Sequence, residues 1–337
     1  MAQKKRIDYI DYLKGLTILW VVWYHTSHPE FVDYPPTMPM FFFLSGIFFK
    51  PYPLLEFIKK KINTHLIPFA FFYVVYYIYL ILQWSIHNPL SSFDFSCFWG
   101  IFRLYKSTES FPVNPPLWFI CALINQQFLI YFLVKANLKR VAIGISALLI
   151  SLFGVFYFYD VKAPFMISRC MPYFIFYSMG YLTGRHILSL IDVEHGIKTS
   201  RQLGLCGLTV FILCWFIKSA YNLNHFLGAL VSYAEIFAFI LLMIYLLKYS
   251  YKLPFLRFLH FYGVNSYIVL GMHEIILTIY LICYTNLFGQ PGVSGGIIIL
   301  ILTTSTLWPV IQILNKLCPQ LIGKNELWKY YCPLNFF

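Results

Sequence analysis

Charge is scarce in this chain. Only 13 of its 337 residues are Asp or Glu, and the four charged types together reach 11%. Soluble globular domains carry about 25%, and a fold in water must cover its apolar bulk with polar surface, so this shortage excludes a water-soluble fold. The eight cysteines form no CxxC pair, which removes the usual spacing for a structural zinc site or a redox disulfide. The one G-x-S-x-G match, Gly292-Val293-Ser294-Gly295-Gly296, opens the last long apolar run with no strand pattern before it, so the strained strand-to-helix turn that exposes a hydrolase serine is not expected there. Neither an internal repeat nor a Gly/Ser/Pro-rich linker divides the chain, which reads as one integral-membrane domain over 1–337. The first apolar run contains Lys14 and His25 and ends without a small-residue cleavage site. It is therefore expected to stay in the membrane rather than be removed as a signal peptide.

Apolar and aromatic residues take the place of charge. Hydrophobic residues make up 60% of the chain, which includes 35 Phe and 27 Tyr, and the mean hydropathy is +0.69. A helix needs about 20 mostly apolar residues to cross a hydrocarbon layer about 30 Å thick. Ten segments approach that length, at 13–28, 36–49, 66–84, 116–134, 141–159, 167–183, 203–219, 227–247, 264–284 and 296–317. The second is short and carries Pro39, so a broken or tilted span is expected there. The apolar stretch 95–105 is too short to cross and reads as an interfacial or loop helix. The expected fold is an all-α polytopic membrane protein with about ten transmembrane helices.

The Lys and Arg residues orient it, because cytoplasmic loops of membrane proteins are enriched in them. With the N-terminus inside, twenty of the 25 basic residues fall on the cytoplasmic side; the outer half holds Arg103, Lys106, Lys162, Arg169 and Lys218. This asymmetry predicts both termini inside. It also accounts for much of the net charge of +12 without calling on nucleic acid as a partner.

Ionisable residues within spans are costly, so each one is a functional candidate. The first segment holds Asp11, Lys14, His25 and His28. On a helix, eleven residues bring Lys14 and His25 to within about 20° of one face and set them about 16 Å apart. Asp11 lies one turn before Lys14, within pairing reach. Lys59, Lys60 and Lys61 form the sharpest basic run on the inner side; they read either as topology signalling or as a site for an anionic ligand. Arg169 near the outer end of the sixth segment reads either as a snorkelling cation or as a group facing developing negative charge. His273 and Glu274 fall near the middle of the ninth segment. Glu235 in the eighth requires a partner or a proton and reads as helix-packing glue. Ser45-Gly46 reads as close helix packing, and Trp118 as an interface anchor or a sugar platform.

The run from Arg6-Ile7-Asp8 through Lys14-Gly15 to Tyr24-His25 resembles the opening of the acyltransferase 3 family of membrane-bound O-acyltransferases, whose mark is a basic residue, ten intervening residues and His. Met38-Pro39-Met40-Phe41-Phe42-Phe43-Leu44-Ser45-Gly46 is similar to that family's second-span signature. The segment from Phe57 to Pro68 resembles its basic entry into the third span, Pro116-Leu117-Trp118-Phe119 its fourth, and Asn265-Ser266-Tyr267 through His273 its ninth. The likeness is dense over the first 75 residues, sparse afterwards, and closest to the fucose 4-O-acetylase-like branch. Many members carry Arg where this chain has Lys14, which weakens a bidentate grip on phosphate or carboxylate.

The resemblance implies transfer of an acetyl or other short acyl group from cytoplasmic acyl-CoA, as donor substrate rather than bound cofactor, to a hydroxyl of a cell-surface polysaccharide or lipid-linked glycan at the bacterial inner membrane. For that reaction His25 is expected to act as general base, with Lys14, Asp11, Arg169 and His273 as further site residues and Arg6, Lys14, Lys59, Lys60 and Lys61 as the grip on CoA; of these, Lys14, His25 and His273 match residues of the family pattern. A multi-span transporter or flippase of envelope precursors is the alternative. Paired broken helices would favour that alternative, and only the second segment is interrupted. The orientation is directly testable. A cytoplasm-dependent fluorescent reporter fused after residue 337 is expected to shine, and alkaline phosphatase inserted within 86–92 to be active. The reverse pattern would overturn the N-in, C-in assignment.

Overall fold

The structure, a computed structural model, describes residues 7–26, 36–102, 113–158, 160–192 and 197–324. The described residues contain helices and no strand. The α-helices are α1 (Asp8–Tyr24), α2 (Thr37–Ile47), α3 (Leu54–Lys61), α4 (Ile67–Ser85), α5 (Trp118–Lys135), α6 (Arg140–Phe153), α7 (Ile167–Cys170), α8 (Phe174–Asp192), α9 (Ile197–Ala220), α10 (His225–Ser250), α11 (Arg257–Val264), α12 (Ser266–Phe288) and α13 (Val293–Leu317). A π-turn over Ile62–Leu66 joins α3 to α4 without a break.

Seven of these stretches are long and apolar enough to cross a membrane: Leu54–Ser85, Pro115–Lys135, Arg140–Phe158, Thr199–Ala220, His225–Ser250, Ser266–Phe288 and Val293–Leu317. The chain is thus an all-α, multi-pass membrane protein. The other three segments expected to span fall on α1, α2 and α8. Two differences from the sequence reading concern proline. Pro39 does not break α2, because it sits in the first turn, where backbone N–H groups have no intrahelical partner to lose. The sixth segment is not one helix. It is interrupted after α7 by a 3₁₀ turn at Met171–Tyr173, where Pro172 removes a backbone donor, and it resumes as α8. The stretch expected to form a loop helix is a 3₁₀ helix over Phe95–Phe102.

Packing against α1 organises the bundle, since α1 touches α2, α10, α11, α12 and α13. Lipid is as apolar as leucine, so helices in a membrane associate through close van der Waals fit, and small residues permit it. Gly15 of α1 lies against the Leu259 carbonyl and Gly263 of α11 against the Asp11 carbonyl; a Cβ at either would overlap the neighbour's backbone. The same device joins α2 to α8, with Gly46 against the Tyr177 carbonyl and Gly180 against that of Phe43. Gly46 therefore packs as expected, while Ser45 beside it faces a cavity. Large side chains such as Leu205, Ile212, Trp215 and Phe216 on α9 are exposed, which suits a lipid-facing surface. Glu235, 1% exposed, receives Lys218 at 2.8 Å across the α9–α10 seam, the partner its burial requires.

Gly180→Leu is expected to destabilise the protein by at least about 1–3 kcal/mol through overpacking of the α2–α8 seam. Gly292→Ala, with open space around its added methyl group, is expected to leave the melting midpoint unchanged. Thermal unfolding of the two variants in detergent, followed by size-exclusion chromatography, checks both.

Candidate active site

His25 follows the last residue of α1, its N–H bonded to the Val22 carbonyl at 3.1 Å. Across from it, mid-way along α12, are His273 and Glu274. His25 Nδ1 lies 3.6 Å from Glu274 Oε2, His273 Nε2 lies 3.9 Å from the same oxygen, and the two imidazole centroids are 5.4 Å apart. His273 has no exposed surface. Its Nδ1 lies 2.9 Å from the Val269 carbonyl and 3.1 Å from that of Leu270. Carbonyls only accept, so the ring proton sits on Nδ1 and Nε2 presents its lone pair to the cluster. By the same logic a carboxylate at His25 Nδ1 draws the proton to that nitrogen and leaves His25 Nε2 as the basic atom.

Two cavities flank this arrangement. A cleft of ≈ 410 Å³, on the side the sequence reading expects to be outer, is lined by His25, Trp20, Tyr24, Trp118, Arg169 and Tyr173, together with Met38. A smaller cavity of ≈ 180 Å³ is lined by Lys14, Ile18, Met38, Ser45, His65 and Tyr267 among others. The two residues picked out by their spacing on α1 therefore each line a cavity, and Met38 lines both. Lys14 also pairs with Asp11 at 3.6 Å and lies over the Phe48 ring at 5.4 Å. Asp11 is buried and reaches the smaller cavity only through Lys14.

Arg169 reaches the outer cleft because of an unusual approach to α7. Phe165 and Met166 both adopt the left-handed conformation, with φ of 56° and 58°, which is costly for such side chains. Two amides on α5 hold the turn. Asn125 Nδ2 donates to the Phe165 carbonyl at 2.6 Å, and the fully buried Gln126 Nε2 donates to that of Cys170 at 3.2 Å. The Arg169 guanidinium then sits 5.7 Å from the Trp118 ring centre. Trp118 follows Asn114, which is also left-handed at φ 53° and donates to the Gly271 and Phe72 carbonyls at 3.0 and 3.3 Å, tying the start of α5 to α12 and α4. Both aromatic and cationic walls of the cleft are thus held by side-chain amides, of which Asn114 and Gln126 are buried.

The structure brings His25, His273 and Arg169 to one place, and Lys14 with Asp11 to a second along the same helix. Lys60 is engaged locally, 2.9 Å from Glu56 and 3.2 Å from the Tyr52 ring centre, and Lys61 lies over Phe57 at 5.1 Å. The triple lysine lies on α3, immediately before the π-turn that carries His65 into the lining of the smaller cavity. Arg6 lies outside the described residues. Sequence reasoning passed over His65, Asn114, Asn125 and Gln126. No spacing rule reveals a π-turn, although the three amides, like other polar groups in apolar runs, carried a signal of their own.

The His25, His273 and Glu274 ligand atoms lie within 4.8 Å of one another. That spacing would admit a divalent cation if the groups drew together, and it equally suits a His25–Glu274 ion pair at 3.6 Å, just beyond hydrogen-bond range, with His273 as neighbour.

Replacing Gln126 with Leu removes the donor to the Cys170 carbonyl. It is expected to cost about 1–3 kcal/mol, the penalty of an unsatisfied buried carbonyl, which a melting curve in detergent would register.

A family model described as an acyltransferase domain matches residues 7–311, a span that includes each of the described site residues above. No curated protein and no solved structure matches the chain. The chain belongs to the acyltransferase 3 family.

Proposed function

We propose that this acyltransferase, a multi-pass protein of the bacterial inner membrane with both termini on the cytoplasmic side, moves an acetyl or other short acyl group from cytoplasmic acyl-CoA to a hydroxyl of a cell-surface polysaccharide or lipid-linked glycan. The observation that carries this reading is the pair of cavities along α1, one at Lys14 and one at His25, with Met38 in both linings. It provides a route for a thioester arm from the inner side toward a base in the outer cleft.

In this mechanism the acceptor hydroxyl enters the aromatic cleft and meets His25 Nε2. As the oxygen attacks the thioester carbonyl, His25 takes the hydroxyl proton. An imidazole suits this role because its intrinsic pKa near 6.5 places it between the two charge states at neutral pH. Glu274, 3.6 Å from Nδ1, orients the ring and stabilises the imidazolium that forms, as a carboxylate does in a catalytic triad. The new C–O bond replaces the C–S bond, and the departing CoA thiolate takes the proton from His25 to leave as the thiol. Arg169, over Trp118, faces the charge that develops on the carbonyl oxygen or holds the acceptor. Lys14, with Arg6 and the Lys59–Lys61 run, contributes positive charge for the anionic CoA at the inner end.

His25→Ala is expected to lower transfer by about 10²–10⁴-fold, the range for a general base, while insertion and folding persist. Glu274→Gln is expected to lower kcat by less, with KM for acyl-CoA nearly unchanged, because it acts through His25. Removal of divalent metal with a chelator is expected to leave activity intact; loss of activity with recovery on adding metal would assign the three-residue cluster to a cation instead. Radiolabelled acetyl transfer in membranes carrying the native acceptor, with mass spectrometry of the glycan, measures all three.

A further inference from the structure

Met38 is the residue common to the two cavities. It lies in the first turn of α2 and is half-buried. On one side the smaller cavity is walled by Ile18 of α1 and Phe119 of α5; on the other the outer cleft is walled by Val21 and Trp118 from the same two helices. The wall between Lys14 and His25 is thus built from three helices. Those of α1 and α5 contribute branched or aromatic side chains with few rotamers. α2 contributes an unbranched thioether with three rotatable bonds, the side chain best able to swing without disturbing the packing around it. Its neighbours in α2 are held: Pro39 and Met40 are buried, and the Met40 sulfur receives the Thr17 hydroxyl at 3.0 Å. Motion at this wall is therefore concentrated in one side chain.

We propose that Met38 is a movable partition between the donor cavity and the acceptor cleft, and that its bulk sets which acyl groups reach His25. This rests on the function proposed above. The thioester passes only when the Met38 side chain turns aside, and an acetyl group needs the least displacement. At rest the partition separates the thioester from the outer cleft, which limits transfer to water. A longer acyl chain must occupy the volume of the thioether itself. Each methylene that fails to fit an apolar passage costs roughly tenfold or more in kcat/KM.

The test compares wild type, Met38→Ala, Met38→Trp and His25→Ala in membranes carrying the native acceptor, with acetyl-, propionyl- and butyryl-CoA as donors. Labelled CoA binding and detergent size-exclusion profiles are measured in parallel. Met38→Ala is expected to raise butyryl relative to acetyl transfer about tenfold or more, together with acceptor-independent thioester hydrolysis. Met38→Trp is expected to bind CoA and elute as wild type while losing transfer. Should Trp disrupt folding, Met38→Phe replaces it, with transfer falling below wild type at unchanged CoA binding. Equal acyl preference and equal rates in wild type and Met38→Ala would overturn the partition. Full activity of His25→Ala would instead overturn the underlying mechanism, so the two failures are distinguishable.

Discussion

The approach of Glu274 to His25, a carboxyl oxygen 3.6 Å from an imidazole nitrogen, is the contact on which the site depends. Ionisable groups in a membrane interior are retained only where they face one another or a polar cavity. Here the two groups come from helices at opposite ends of the sequence, α1 and α12, and the backbone has to hold those helices together before the pair exists. The close approach of α1 to α11 at Gly15 and Gly263 does this. It seats α1 against the segment that leads directly into α12, so the helix-packing residues and the reactive residues are parts of one construction. His273, with its proton committed to backbone carbonyls of its own helix, supplies a second fixed lone pair beside the contact.

Around this centre the protein uses side-chain amides where a soluble enzyme would use ordered loops and water. Asn114, Asn125 and Gln126 each donate to a backbone carbonyl of another element. An unpaired buried carbonyl is expensive; Gln126 satisfies one at the interruption after α7, Asn125 holds the turn before it, and Asn114 ties the start of α5 to α4 and α12. The left-handed residues Asn114, Phe165 and Met166 sit at these turns, and the strain they store is held by the same hydrogen bonds. Arg169 and Trp118 owe their places in the cleft to this scaffold. The Lys218–Glu235 bridge solves a similar problem away from the cleft, where burial of one charge is compensated by the other.

The arrangement separates two tasks along one helix. Near its start α1 places Lys14 beside a small, largely apolar cavity, and at its end His25 lines a wider cleft with aromatic walls. About 16 Å of helix separates them, and in the proposed mechanism this is the distance that a thioester arm would cover. α10 contributes Ile236 to the cleft wall, while α9 exposes large apolar side chains that suit a lipid-facing surface.

What the sequence determined by itself was the medium, the helical class and the family signature. Scarce charge and long apolar runs leave lipid as the one solvent in which the chain can fold, and helical periodicity places Lys14 and His25 on one stripe because that geometry is local. Glu274 and His273 were visible as costly residues in a span, but not as partners of His25, since nothing local encodes a meeting across some 250 residues of chain. The π-turn that presents His65, the interruption at Pro172 and the harmless position of Pro39 were likewise decided in three dimensions. A proline's effect depends on whether its missing N–H had a partner, and that is fixed by where the helix begins. The placing of Met38 between two cavities was a property of packing among α1, α2 and α5, because a wall exists only once the helices that form it have come together.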